Sequence, residues 1–173
     1  MKKLILIIIV LTGTRQAALA QETYGHTLNL GLGIGYYGYV YHSAPVLNLN
    51  YEFDVARNFT LAPFVSFYSY HWANRYRQTV VPIGIKGTYY FDELLNADSD
   101  WDFYLGASLG VAIISTQWDP DYTGGRFYNR RDRGTTPIYL DVHAGAEYHF
   151  SDACGVFLDL STGVSTLGIS VRP

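Results

Sequence analysis

Two short stretches place groups capable of acid–base chemistry two positions apart. His149-Phe150-Ser151 offers an imidazole and a hydroxyl, and Asp141 and His143 offer a carboxylate and an imidazole. In an extended strand residues i and i+2 share a face, so each pair could hold a base beside its partner. Neither completes a catalytic set, because Asp141 and His143 have no serine assigned beside them and a base without a nucleophile is a structural pair. Five scattered histidines and a single cysteine, Cys154, give no metal-ligand spacing, and no cofactor is expected. Glu52, Asp54, Lys86, Asp141, His143, Glu147, His149 and Asp159 fall on one face of the segments that carry them. A buried charge without a partner is costly, so Lys86 is expected to pair with a carboxylate, Glu52 or Asp159. A second charged group, Arg75, Arg77, Arg126, Arg130, Arg131 and Arg133, lies in connecting segments, where planar guanidinium groups suit phosphate. Pairing with Asp119, Asp121 and Asp132, or plain solvation, is the alternative for these arginines.

The elements that must position these groups alternate with a period of two. Thr27 to Gly35 reads TLNLGLGIG, and Leu47, Leu49, Tyr51, Phe53 and Val55 alternate with Asn48, Asn50, Glu52 and Asp54. The same pattern runs through Phe59 to His71, Thr79 to Phe91, Asp102 to Ser115 and Ile138 to His149. It ends with Gly155 to Thr162 and a last segment reaching Arg172. Eight strands follow, and helical periodicity is hard to find. Gly31, Gly33 and Gly35 match part of a nucleotide-binding fingerprint, but no helix follows them and strand packing explains them.

Met1 to Ala20 has a basic start, an apolar run from Leu4 to Leu11 and a small-x-small end, Ala18-Leu19-Ala20. This is the pattern of a cleaved signal peptide, too short to span a bilayer. The chain therefore divides into residues 1–20, removed on export, and a single domain over 21–173. Removing Lys2, Lys3 and Arg15 leaves nine basic residues against fifteen acidic ones, a balance that excludes nucleic acid as a partner.

Alternation alone does not say which face is wet. An eight-stranded barrel is just wide enough inside for its own side chains. The aliphatic and aromatic set would overfill it and leave Gly, Ser, Ala and Asn on the surface. The opposite arrangement fits if lipid takes the apolar face, and closure then removes the strand edges that hydrocarbon cannot solvate. Aromatics gather at the segment ends, with Tyr36, Tyr37, Tyr39, Tyr41, Phe67, Tyr68, Tyr70 and Trp72 toward one interface. Tyr51, Phe53, Tyr89, Tyr90, Phe91, Trp101, Phe103, Tyr104, Tyr148 and Phe150 gather toward the other, as two girdles.

With Pro82-Ile83-Gly84-Ile85-Lys86-Gly87-Thr88-Tyr89-Tyr90-Phe91 and Phe103-Tyr104-Leu105-Gly106, the chain resembles the small outer-membrane β-barrel proteins of Gram-negative bacteria, the group of the outer-membrane protein A barrel. Members usually finish the last strand on an aromatic, whereas here it reads Ile169-Ser170-Val171-Arg172-Pro173. The resemblance implies an all-β, eight-stranded antiparallel up-and-down transmembrane barrel, monomeric and inserted by the outer-membrane assembly machinery. It implies outer-membrane lipid and lipopolysaccharide as neighbours of the arginines named above. His149-Phe150-Ser151 is similar to the His-x-Ser of outer-membrane lipid A deacylases, but the flanking residues of that motif are absent and the topology puts it at a periplasmic turn. The expected role is structural or surface interaction without enzymatic activity, with Glu52, Asp54, Lys86, Asp141, His143, Glu147 and Asp159 as a lumen charge network. A narrow solute or ion channel ranks second and a lipid-modifying enzyme third.

Overall fold

The computed structural model describes residues 24–35, 44–72, 76–95, 100–118 and 138–173, apart from the side chains of Trp72, Glu93, Leu94 and Trp118. The expected leader, Tyr36 to Tyr41, and Arg75, Arg126, Arg130, Arg131 and Arg133 lie outside the described residues. The strands are β1 (Thr27–Gly35), β2 (Ala44–Ala56), β3 (Phe59–Trp72), β4 (Tyr76–Tyr90), β5 (Trp101–Trp118), β6 (Ile138–Ser151), β7 (Cys154–Ser161) and β8 (Val164–Val171). A single helical turn, α1 (Asp92–Leu95), follows β4. Each strand pairs antiparallel with the next, and β8 returns to β1 to close the barrel.

Turn chemistry fits the short connections at the rim where β1 begins and β8 ends, here the inner rim. Asn58 takes a positive φ of 55° between β2 and β3, a conformation asparagine tolerates better than most residues. The β6–β7 connection is tight, with Cys154 N–H donating to Ser151 Oγ at 3.1 Å. At the opposite, outer rim, β7 and β8 are joined by Thr162-Gly163 alone, so Val164 begins β8 and faces inward at 3% exposure.

The period of two sorts the side chains as the alternation requires. Leu28, Leu49 and Ile83 are 41%, 40% and 38% exposed, while Asn29, Asn50 and Pro82 beside them are buried. The outer wall carries Leu30, Leu32, Ile85, Leu105, Leu109, Val142, Leu158 and Ile169 in one continuous belt. An apolar belt of that extent is unsuited to water and matches the lipid-facing band of a spanning barrel. No helix among the described residues is long and apolar enough to cross a membrane. Trp101, Tyr89, Phe53, Tyr148 and Phe150 are exposed at the inner rim, with the Trp101 and Tyr148 rings 4.9 Å apart.

Four tyrosines depart from the expected girdles. Tyr68, Tyr90 and Tyr104 are 1%, 2% and 4% exposed and point into the lumen, and Tyr70 packs on apolar residues there. Their positions in the pleat decide this, because each shares its face with the inward residues two places away, as Tyr68 does with Ser66. Gly145 makes the room: a Cβ at that position would lie 2.2 Å from Cζ of Tyr104.

Candidate functional site in the lumen

The lumen is layered along its axis. Nearest the outer rim it is apolar: Ala44, Val46, Tyr68, Val80, Ala112, Ile114 and Val164 pack together, with Tyr70 against them. The sequence expectation of a small and polar interior does not hold in this layer. Eight strands leave too little space for a water column, and the interior is filled by side chains from every wall.

Below it lies a charged layer. Lys86 of β4 reaches across to the Asp159 carboxylate of β7, and its ammonium sits 4.6 Å from the centre of the Tyr104 ring. Tyr104 Oη donates to Asp159 Oδ2 at 3.1 Å. The His143 ring bridges two strands, with Nδ1 2.8 Å from Asp159 Oδ1 and Nε2 2.8 Å from Ser108 Oγ. Register explains the meeting: Ser108 pairs with Asp141, and Asp159 pairs with Gly145, so both are diagonal neighbours of His143 on the same face. Of the two partners expected for Lys86, the structure uses Asp159.

Ser108, His143 and Asp159 thus have the connectivity of nucleophile, base and orienting carboxylate, which corrects the expectation that no serine lies beside His143. The surroundings do not suit acyl transfer. The cavity they share with Asn48, Asn50 and Lys86 holds about 20 Å³, space for one water. Ser108 sits in ladders on both sides, opposite Lys86 and Asp141, so its backbone N–H is not free to stabilise an oxyanion.

Asp141, fully buried, sits beside this layer and holds the β7–β8 turn. Its Oδ1 accepts from Thr162 Oγ1 at 2.6 Å and Gly163 N at 2.7 Å, and its Oδ2 from Ser161 Oγ at 2.9 Å, Tyr139 Oη at 3.0 Å and Val164 N at 3.1 Å. Hydrogen bonds to the ionised form solvate this carboxylate in place of water. His143 Nε2 is 3.8 Å away.

Toward the inner rim, Glu52 accepts from Asn29 Nδ2 at 3.0 Å, Thr60 Oγ1 at 2.9 Å and Tyr90 Oη at 2.7 Å. Tyr24 closes this end: its ring stacks on Tyr90 at 4.1 Å and its hydroxyl donates to Asp92 of α1 at 2.8 Å. Asp54 is half-buried and belongs to this closure, its Oδ1 accepting from Gly25 N at 2.8 Å and Tyr24 N at 3.2 Å. Beside it, Asp102 Oδ2 contacts His149 Nε2 at 2.7 Å and Arg172 Nη2 at 3.5 Å, while Glu147 Oε1 lies 3.4 Å from His149. His149 and Ser151 are engaged separately, His149 at this mouth and Ser151 in the β6–β7 turn.

No family model matches the chain, and no curated protein matches it in sequence. Solved structures do match. The crystal structure of Neisserial surface protein A superposes with a TM-score of 0.59 at 17% identity, over 85% of this chain and 95% of that one. Ail of Yersinia pestis, solved in a phospholipid bilayer nanodisc, gives 0.51 at 9% identity, over 85% and 97%. This chain has the fold of the small outer-membrane β-barrels.

Of the six arginines read from the sequence, Arg77 is described. It is exposed on the barrel's outer wall, and its Nε donates to His71 Nε2 at 3.1 Å. Tyr89 of the inner girdle lies twelve steps further along β4. At ~3.3 Å per residue and a tilt of about 40°, that is about 30 Å of height. Arg77 therefore stands at the opposite headgroup level.

Sequence reasoning missed Ser108, Tyr104 and Tyr24 as partners of the charged residues. Ser108 shares its strand face with Gly106 and Gly110, which signals only small size, and its partners became visible through register.

Proposed function

We propose that this protein is a plugged, non-conducting outer-membrane barrel with a structural or surface-interaction role and no enzymatic activity, exported by a signal peptide cleaved after Ala20. The observation that carries this reading is the layered lumen: an apolar plug of Val46, Tyr68, Val80 and Ile114 at the outer end, and Tyr24 stacked on Tyr90 at the inner end, with the Lys86–Asp159 layer between them. An ion following the axis would meet desolvating side chains at both ends, where charge is strongly disfavoured. The ion-path alternative lacks a continuous polar route through these layers. The Ser108–His143–Asp159 connectivity favours an enzyme, but one-water space around Ser108 admits no acyl group.

The surface role rests on the outer wall. Arg77, exposed at headgroup height with its Nε donating to His71, carries a planar guanidinium that suits the phosphates of outer-leaflet lipopolysaccharide. Conductance in planar bilayers tests the main reading. The mature protein is expected to give no discrete openings, and reproducible ohmic steps from a folded sample would overturn it.

A further inference from the structure

Among the described residues, several buried polar atoms in the inner half of the barrel make no hydrogen bond, and Asn29 Oδ1, Glu147 Oε1 and Ser170 Oγ are three of them. Their residues are 5%, 4% and 2% exposed. They also belong together. Asn29 and Ser170 are register partners on β1 and β8. Glu147 lies within hydrogen-bonding reach of Ser170 and in the field of His149 and of the Glu52 and Asp102 carboxylates. Asn29 bridges to Glu52 by a hydrogen bond of 3.0 Å.

The orientation of the Asn29 amide is fixed. Both Nδ2 protons are used, on Asn50 Oδ1 and on Glu52 Oε1, each at 3.0 Å, so the atom left unpartnered, Oδ1, is an acceptor. Glu147 Oε1 is an acceptor too. Ser170 has a single proton to give and can serve one of them. His149 Nε2, 3.4 Å from Glu147, makes its shorter contact with Asp102. An unmade bond to a buried acceptor costs about 1–3 kcal/mol, so this cluster calls for something positive.

Charge decides what that is. Among the described residues, Glu52, Glu147, Asp102 and Asp159 share two fixed cations, Lys86 and Arg172, and the Arg172 side chain is 30% exposed. Lys86 is committed to Asp159. A water could satisfy two acceptors but would leave the excess negative charge in a low-dielectric lumen, whereas a cation removes both costs. Two carboxylates, an amide oxygen and a hydroxyl are hard oxygen ligands of the kind that suit sodium or calcium. No group of three or more His, Cys, Asp or Glu is arranged for a metal among the described residues, so an ion here would be held by two carboxylates together with the neutral amide and hydroxyl oxygens. We propose that Asn29, Glu147 and Ser170, with Glu52 behind them, form a binding site for one hard cation, Na⁺ or Ca²⁺, in the inner half of the lumen.

The test uses the mature barrel in phosphocholine nanodiscs, exchanged into chelator-treated choline chloride and titrated with NaCl or CaCl₂ at constant ionic strength. Thermal unfolding midpoint and bound metal by elemental analysis are read against empty nanodiscs. One of the two ions is expected to raise the midpoint and to be retained at one per chain. E147Q is expected to abolish both effects and S170A to weaken them. Folding of each variant is checked by its compact band on an unboiled gel, and if E147Q does not fold, S170A carries the comparison. A folded wild type that responds to neither ion holds water there, and the proposal fails. A midpoint that rises on acidification without any ion dependence, and no longer does so in E147Q, means that Glu147 holds a proton beside Glu52, Asp102, His149 and Tyr90; that result also overturns the proposal. So does undiminished ion binding by both variants.

Discussion

Lys86 on β4 and Asp159 on β7 form a buried ion pair across the lumen, between strands that share no ladder. The pair ties opposite walls of the barrel, and Asp159 further accepts from Tyr104 and contacts His143. Removing one member leaves the other as a buried charge, so Lys86→Met is predicted to cost about 3–5 kcal/mol. In the double variant K86M/D159L no charge is stranded, and only the His143 and Tyr104 donors lose a partner. Its cost should fall well below the sum of the single variants. Urea unfolding in lipid vesicles measures this, and strict additivity would show that the two residues do not interact.

Asp141 carries a different load. It organises a two-residue turn through two backbone N–H groups and two hydroxyls of that turn. Asp141→Ala would leave these donors buried and unpaired at roughly 1–3 kcal/mol each. The predicted loss is more than ~3 kcal/mol by the same unfolding measurement. Asp141→Asn, which keeps acceptor capacity on one oxygen, should lose less. Equal stability of the alanine variant and wild type would mean that the turn holds itself.

Two seals in series predict a characteristic response to mutation. Tyr24→Ala opens the inner end and Tyr68→Ala thins the apolar plug, but either barrier alone still excludes ions. Single variants should remain silent in planar bilayers, and the double variant should conduct. Its openings should favour cations, because Glu52, Glu147 and Asp102 line the route. Conductance by Y24A alone would place the barrier entirely at the inner end.

The sequence made the barrel legible because lipid imposes one simple demand, an aliphatic residue at every second position, and Leu28 to Ile34 and Leu105 to Ile113 meet it directly. The outer plug was hidden where both faces are apolar at once. Val80-Val81 and Ile113-Ile114 break the alternation, and that break was the available signal. Tyrosine misled because it suits both a headgroup girdle and a packed lumen; its place in the pleat distinguishes the two, as Tyr89 outside and Tyr90 inside demonstrate. The contacts of His143 could not be read from spacing. They depend on the registers of β5 with β6 and of β6 with β7, which turn geometry and closure set together.

Arg77 stands at headgroup height, so its effect should appear in lipid binding and not in stability. Arg77→Glu is predicted to weaken lipopolysaccharide binding by about 1 kcal/mol, roughly fivefold, with an unchanged unfolding curve. Titrating lipopolysaccharide into the nanodisc-held protein reads this directly. Unaltered binding would assign contact with the phosphates to other groups.

The whole account depends on hydrocarbon wetting the aliphatic face. Nitroxide labels at Leu30, Leu109 and Leu158, on three walls of the barrel, and at Gln117 above the belt test this in a Cys154→Ser background. Collision with lipid-dissolved oxygen and with a water-soluble nickel chelate is then measured in bilayers. The three belt positions are predicted to be open to oxygen and closed to nickel, with the reverse at Gln117. Nickel accessibility at all three equal to that at Gln117 would contradict the account.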